Sequence, residues 1–110
     1  MKIKIHQYIT NLDVNPFEKW FDKLNPIAAT KVTTALYRLE QGNYSNVKGI
    51  GEGVFEYKID FGPGYRIYFG QDGGELVILL GGGTKKLQNK DIQEAKKYWK
   101  EYKSLKKQRK

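Results

Sequence analysis

Residues 54–80 read VFEYKIDFGPGYRIYFGQDGGELVILL, and this stretch predicts a β-meander of three strands. Apolar and polar side chains alternate over Phe55–Phe61 and again over Tyr65–Phe69, which is the period of a half-buried strand. Gly62–Gly64 forms a turn between them, and a second glycine-containing turn follows. Leu76–Leu80 is apolar throughout, as expected for a well-buried third strand.

The segments on both sides of the meander predict one further strand and three helices. Lys2–Ile9 alternates like a strand. Asn15-Pro16 and Asn25-Pro26 each place an N-cap before a proline at the first helical position, and the second helix ends near Gly42. A third helix begins near Asn89. The predicted order is β-α-α-β-β-β-α, an α+β fold with a helical hairpin packed on one face of a small, mostly antiparallel sheet.

Length and composition limit the possible functions. A chain of 110 residues predicts a single domain over 1–110, with a basic tail at 103–110. The sequence has no Cys and one His, His6, which argues against disulfides, thiolate or histidine metal sites, cysteine nucleophiles and a Ser-His-Asp triad. We therefore expect no metal and no cofactor. There is no signal-peptide pattern and no apolar run that could cross a bilayer, so we expect a cytoplasmic protein without a membrane partner.

Basic side chains outnumber acidic ones, with 20 Lys and Arg against 12 Asp and Glu and a net charge of +8. The two kinds are equal in number over residues 1–82, so the whole surplus lies in residues 83–110. Such a surplus favours a polyanionic partner, and a nucleic acid fits better than a membrane surface. The last predicted helix carries lysines opposite its apolar stripe, namely Lys96, Lys100, Lys103 and Lys107.

The meander also predicts a polar patch. If Gly62–Gly64 is a three-residue turn, Asp60 lies opposite Arg66 and Lys58 lies opposite Tyr68. The polar side chains of both strands then share the sheet face away from the helices: Glu56, Lys58, Asp60, Arg66 and Tyr68.

Lys85 and Lys86 follow the last strand on a glycine-rich loop that would bring them over the same face. Such a face suits RNA cleavage by attack of a 2′-hydroxyl on its own phosphate, which needs a base, an acid and stabilisation of the phosphate charge. Arg66 can hold a phosphate through two hydrogen bonds, and Glu56 is a candidate base. A simpler interpretation is a cross-strand ion pair between Arg66 and Asp60 on a solvated face.

Three segments carry a resemblance to a known family: GVFEYKI at 53–59, GPGYRIYF at 62–69 and LLGGGTKK at 79–86, with Asp91-Ile92 and Ala95 following. Together with the order of elements, they resemble the RelE/ParE superfamily of toxins, in particular the HigB-like addiction-module killer proteins. The resemblance covers nearly the whole chain. It implies a RelE-like fold and the toxin of a type II toxin–antitoxin pair. Many such toxins cut mRNA in the ribosomal A site through the 2′-hydroxyl, without a metal.

The resemblance also implies roles for particular residues. Arg66 would stabilise the phosphate, and Lys58 would be the base. Lys86 would bind phosphate or assist departure of the 5′-oxygen, with Lys85 adjacent. Tyr68 and the helix lysines Lys96, Lys100 and Lys103 are candidate RNA-binding residues. The implied partners are a cognate antitoxin, the ribosome and mRNA, and the toxin–antitoxin complex would bind operator DNA through the antitoxin.

The sequence departs from the RelE-type arrangement at two positions, since Asp60 replaces a second lysine and Ile92 replaces a tyrosine early in the last helix. Two other functions remain open at this point. ParE-like members share the fold but inhibit DNA gyrase without catalysis, so the fold does not decide the target. The third possibility is a nucleic-acid-binding module that acts through its basic last helix.

Overall fold

A computed structural model describes residues 2–108 of the chain. Its strands and helices, in chain order, are β1 (Lys4–Gln7), α1 (Pro16–Phe21), α2 (Pro26–Glu40), β2 (Val47–Gly51), β3 (Val54–Ile59), β4 (Tyr65–Asp72), β5 (Leu76–Thr84) and α3 (Gln88–Gln108). A 3-10 turn at Lys85–Leu87 joins β5 to α3.

The strands form one mixed sheet in the order β1-β5-β4-β3-β2. β1 runs parallel to β5, and the other neighbouring strands are antiparallel. The predicted α+β class and the meander are therefore confirmed, whereas the predicted number of four strands is wrong. The additional strand is β2, whose sequence VKGIG has two glycines and little strand propensity of its own. It is a strand because it pairs with β3.

The predicted helical hairpin covers one face of the sheet. Phe17 of α1 packs there against inward side chains of the strands, including Ile67 and Phe69. The buried residues of α2 join the same cluster: Ala28, Val32, Ala35 and Leu39. Both predicted N-caps are present, because the side chains of Asn15 and Asn25 accept hydrogen bonds from the backbone of Glu18 and Ala28. These caps satisfy N–H groups that have no partner within their own helix.

The opposite face of the sheet is covered by α3, which corrects the prediction of an open polar face. Ala95 and Trp99 of α3 pack on Val54, Tyr68 and Ile78 in a second core cluster. α3 lies close to the sheet because glycines make room for it: a Cβ at Gly70 would overlap the Trp99 ring. Burial from both sides explains why Val77–Leu80 is apolar throughout.

The predicted register of β3 and β4 is wrong by two residues. Lys58 lies opposite Arg66 and Glu56 lies opposite Tyr68, because the connection spans residues 60–64 rather than three residues. Gly62 and Gly64 both adopt positive φ, which lets this longer loop reverse the chain. A shift of two residues keeps every side chain on its predicted face. Asp60 is consequently exposed in the loop and is not the partner of Arg66.

Two further segments differ from expectation. Gly81–Gly83 belong to β5, which continues to Thr84, so they do not form a loop. Residues 103–108 of the expected basic tail are the last turns of α3, and the remaining two residues of that tail lie outside the described part of the chain. Over residues 2–108, no helix combines the length and the apolar character needed to cross a membrane.

Candidate active site

A row of polar side chains is buried between the sheet and the beginning of α3. Glu56 is 1% exposed, Arg66 5% and Tyr68 0%. Glu56 projects from β3 and the other two from β4, so strand alternation places all three on the α3 face. Charged side chains are almost never buried to this degree unless they are paired, so their partners define the site.

The Glu56 carboxylate is the centre of this row. Its Oε1 accepts a hydrogen bond of 2.8 Å from Nε2 of Gln88, the first residue of α3. Arg66 Nε lies 3.5 Å from the same oxygen, and Lys48 Nζ of β2 lies 3.6 Å from Oε2. Glu56 therefore links β2, β4 and α3 and supplies the negative charge that holds the Arg66 guanidinium.

Arg66 is held on two sides of its guanidinium. Nη1 donates a 2.7 Å hydrogen bond to the carbonyl oxygen of Gly64, and Nε faces Glu56. Within residues 2–108, neither Nη2 nor the buried Nε makes a hydrogen bond, so the contact of Nε with Glu56 is an ion pair only. A guanidinium oriented in this way presents its remaining N–H groups in a fixed direction, which suits recognition of a phosphate.

Three lysines lie at the end of the sheet where Arg66 is located. Lys58 is exposed and lies directly opposite Arg66 across the β3–β4 ladder. Lys85 lies near the Gly64 loop, because a Cβ built on Gly64 would be 3.2 Å from Arg66 Nη1 and 3.8 Å from the Lys85 Cβ. Lys86 follows in the exposed 3-10 turn. A groove of about 340 Å³ on the β2–β3 side is lined by Lys48, Glu56, Lys58 and Asp60, among others, but not by Arg66, Lys85 or Lys86.

The candidate RNA-binding residues lie in different environments. Tyr68 is fully buried beneath α3, so its ring is not presented to solvent for stacking on a base. Lys96 pairs with Glu52 at 3.4 Å, and Lys103 lies over the Trp99 ring at 5.8 Å from its centroid. Lys100 is exposed on the outer face of α3. It lies several helical turns beyond Gln88, the residue at which α3 approaches Glu56 and Arg66.

Two residues of the site were missed by reasoning from the sequence. Lys48 lies on the unpredicted strand β2, and Gln88 looks like an ordinary polar residue at the start of a helix. No sequence pattern distinguishes Gln88, since only the packing of α3 on the sheet brings its amide to Glu56.

The fold and this site describe a small α+β protein with a buried Glu–Arg pair under a basic rim. A sequence profile of the family described as Phage derived protein Gp49-like (DUF891) matches residues 19–103. The chain belongs to this family. A protein of Haemophilus influenzae (strain Rd), described as uncharacterized, is 44% identical over 81 residues, covering 73% of this chain and 82% of the relative. The family match includes Lys48, Glu56, Lys58, Arg66, Lys85, Lys86 and Gln88.

Proposed function

We propose that this protein is the toxin of a type II toxin–antitoxin system and acts as a ribosome-dependent mRNA endoribonuclease. Membership of the Gp49-like family supports the first part, since such proteins are often associated with toxin–antitoxin modules. The resemblance of the GPGYRIYF and LLGGGTKK segments to HigB-like toxins supports the second. The proposal includes a RelE/ParE-like fold in which β2 is an additional edge strand.

One observation carries the catalytic part of the proposal. The Arg66 guanidinium is fixed by Glu56 and Gly64, and an exposed lysine lies directly opposite it. Preorganised donors of this kind stabilise charge that develops in a transition state, because they need no reorientation during the reaction. The neighbouring lysines add positive charge where a phosphate would bind.

The reaction would proceed through the RNA's own 2′-hydroxyl. Lys58, as the amine, removes the 2′-proton while the 2′-oxygen attacks phosphorus, and the bond from phosphorus to the 5′-oxygen breaks. Lys86, as the ammonium, gives a proton to the departing 5′-oxygen, which leaves a 2′,3′-cyclic phosphate and a 5′-hydroxyl. Arg66, with Lys85 beside it, stabilises the charge on the phosphate oxygens. Glu56 is a positioning residue for Arg66 and is too buried to reach the 2′-proton.

The test compares exposed lysines, because Arg66 also supports the fold. Wild-type protein and the Lys58→Ala and Lys86→Ala variants are expressed in growing cells, and mRNA is mapped by primer extension. We expect new 5′ ends within translated codons for the wild type and a loss of at least about a hundredfold in cleavage for Lys58→Ala. Lys4→Ala, an exposed lysine on β1, is the matched control and should cleave normally.

Intact transcripts during full growth arrest would overturn the endoribonuclease proposal. Filamentation with DNA-damage signalling in the same cells would indicate a gyrase-directed toxin instead. The proposed partners are a cognate antitoxin that recognises the basic surface, and the ribosome with its mRNA in the cytoplasm. Operator DNA would be bound through the antitoxin.

A further inference from the structure

A second basic surface lies between α2 and the end of β3. It is a groove of about 350 Å³ between this helix and residues 57–61, here called the α2–β3 groove. Its floor is apolar, because the buried residues Ala35, Tyr57 and Ile59 line it. Its lining includes three cations and one carboxylate, so the groove favours an anionic ligand. The polar and charged lining residues are Thr30, Lys31, Thr34, Arg38, Asn46, Lys58 and Asp60.

One side of α2 forms the helical wall of the groove. Lys31, Thr34 and Arg38 are spaced by three and four residues, which places them on the same side of the helix, next to its buried stripe. Lys31 and Arg38 are exposed, and neither forms an ion pair within residues 2–108. Seven residues of α-helix span about 10 Å, so these two cations can contact different phosphates of one strand.

The other groups in the groove also suit a phosphate backbone. Lys31 Nζ lies 4.9 Å from the centre of the Phe61 ring, and this cation–π contact holds the ammonium beside the loop that follows β3. Thr34 and Asn46 add a hydroxyl and an amide, which bind phosphate oxygens in many nucleic-acid complexes. Positively charged grooves of this kind follow the backbone of a single strand.

The α2–β3 groove continues around the edge of the sheet toward the candidate active site. The backbone N–H of Lys58 donates to the carbonyl oxygen of Asn46, just before β2 begins, so within the described chain β3 is an edge strand beyond this point. The groove on the β2–β3 side shares Asn46, Lys58 and Asp60 with the α2–β3 groove, so the two meet here. Lys58 in turn lies directly opposite Arg66. A strand with a phosphate at Arg66 would therefore reach the α2–β3 groove by passing Lys58.

The proposed reaction sets the direction of that strand. Lys58 acts on the 2′-hydroxyl, which belongs to the nucleotide on the 5′ side of the cut, whereas Lys86 acts on the 5′-oxygen of the nucleotide on the 3′ side. The two lysines lie on opposite sides of Arg66 in β4, because Lys58 is on β3 and Lys86 follows β5. The RNA on the 5′ side of the cut would thus leave the site past Lys58.

We propose that the α2–β3 groove binds the single-stranded RNA on the 5′ side of the cleaved bond, with Lys31 and Arg38 as its phosphate ligands. An acidic protein segment would meet the same positive charge. RNA is favoured because the groove is continuous, through Lys58, with the place where the phosphate would bind. This inference rests on the proposed function, because it assigns a position to the RNA that the reaction would cut.

The test measures binding of two product-like RNAs to the purified chain by isothermal titration calorimetry. Both consist of uridine and end in a 2′,3′-cyclic phosphate; one is a hexanucleotide, which extends in the 5′ direction, and the other is a dinucleotide. We expect the wild type to bind the hexanucleotide at least about tenfold more tightly. In Lys31→Ala/Arg38→Ala this advantage should fall to about twofold, because two charged contacts are lost. Both side chains are exposed, so these substitutions should preserve the fold.

Two controls separate the groove from a general effect of charge. Lys19→Ala/Lys23→Ala removes the same charge from exposed positions at and after the end of α1, and it should retain the advantage. A uridine hexanucleotide with a 5′-phosphate extends from that phosphate in the 3′ direction. Its affinity should be the same for Lys31→Ala/Arg38→Ala as for Lys19→Ala/Lys23→Ala.

Three results would overturn the inference: no hexanucleotide advantage in the wild type, an advantage that persists in Lys31→Ala/Arg38→Ala, or an equal decrease in both double variants. Unchanged RNA binding together with lost binding of hexaglutamate would overturn it too, and would assign the groove to an acidic protein segment. The titration uses no ribosome and measures no cleavage. A groove-dependent advantage without mRNA cleavage in cells would therefore reject the proposed function alone, and cleavage without that advantage would reject the groove alone.

Discussion

The Glu56 carboxylate and the Arg66 guanidinium are removed from water on the face of the sheet that α3 covers. Each charge is tolerated there because the other is close, and because Gln88 and Gly64 satisfy part of their hydrogen-bonding capacity. The pair therefore has two roles. It maintains the contact between β4 and the start of α3, and it fixes the guanidinium that the proposed reaction uses.

Arg66→Ala should lower stability as well as activity. The substitution leaves the Glu56 carboxylate buried with only an exposed lysine and an amide nearby, which should cost about 3 kcal/mol in the free energy of unfolding. Urea denaturation followed by circular dichroism measures this loss. Lys58→Ala, on the exposed neighbour, should change the free energy by less than about 0.5 kcal/mol.

The double variant Glu56→Gln/Arg66→Ala gives an independent check. It removes the uncompensated charge, so it should recover part of the stability lost in Arg66→Ala. An Arg66→Ala variant as stable as the wild type would show that the pair does not support the fold.

At the scale of the element, α3 is attached to the sheet along its whole length. Gln88 binds Glu56 at its beginning, Trp99 lies over Gly70 in the middle, and Tyr102 and Lys106 bind Asp72 near its end. The Tyr102 hydroxyl donates a 2.7 Å hydrogen bond to Asp72, and Lys106 Nζ lies 2.6 Å from the same carboxylate. Asp72 thus anchors the end of α3 to the β4–β5 hairpin.

The contribution of Asp72 should depend on pH. Hydrogen bonds from Lys106 and then Tyr102 hold the pKa of Asp72 below its ordinary value of 3.8. A carboxyl group with a lowered pKa stabilises the fold above its unfolded-state pKa, and this contribution is lost as the pH falls through the folded-state value. Asp72→Asn should therefore cost about 1 kcal/mol at pH 7, and the difference from the wild type should shrink progressively below about pH 4.

Urea denaturation at pH 7, 5 and 3 measures this difference. Asp60→Asn, at an exposed loop position, is the control and should remain close to the wild type at neutral pH. A cost of Asp72→Asn that stays constant down to pH 3 would show that the carboxylate charge does not anchor α3.

At the scale of the whole molecule, the charge surplus divides into two parts. Lys85 and Lys86 border the candidate active site, whereas the other lysines of residues 88–108 lie on α3. Some of the latter are already engaged within the protein, because Lys96 pairs with Glu52 and Lys106 with Asp72. Lys100 and Lys107 are exposed on α3, where they would attract a polyanion over a long range.

Binding to RNA should therefore weaken with salt, and the slope should depend on α3. Each phosphate neutralised on a single strand contributes about 0.7 to the slope of log K against log salt concentration. Replacing Lys100 and Lys107 by Ala should reduce the slope by about 1.4, measured by fluorescence anisotropy with a labelled single-stranded RNA. The control replaces Lys2 and Lys4, on the β1 side, and should leave the slope unchanged. An unchanged slope in the α3 variant would place the RNA contacts elsewhere.

Local signals in the sequence were sufficient to predict the strands and helices that have a strong residue pattern. The alternation over 54–80 predicted the meander, and the two Asn-Pro pairs predicted the beginnings of α1 and α2. The same alternation assigned Glu56 and Arg66 to one face correctly, because the register error was two residues and only an odd shift would have moved one strand's side chains to the other face. These features depend on neighbouring residues, so the sequence alone determined them.

Tertiary structure decided which residues meet. The register of β3 and β4 depends on the conformation of residues 60–64, and β2 is a strand only because β3 pairs with it. Whether the polar face is open or covered depends on the side of the sheet to which α3 returns, and Gly70 and Gly83 allow that helix to approach closely. The partner of Arg66 is consequently Glu56 rather than Asp60, since the identity of an ion pair depends on distances in space that no local pattern specifies.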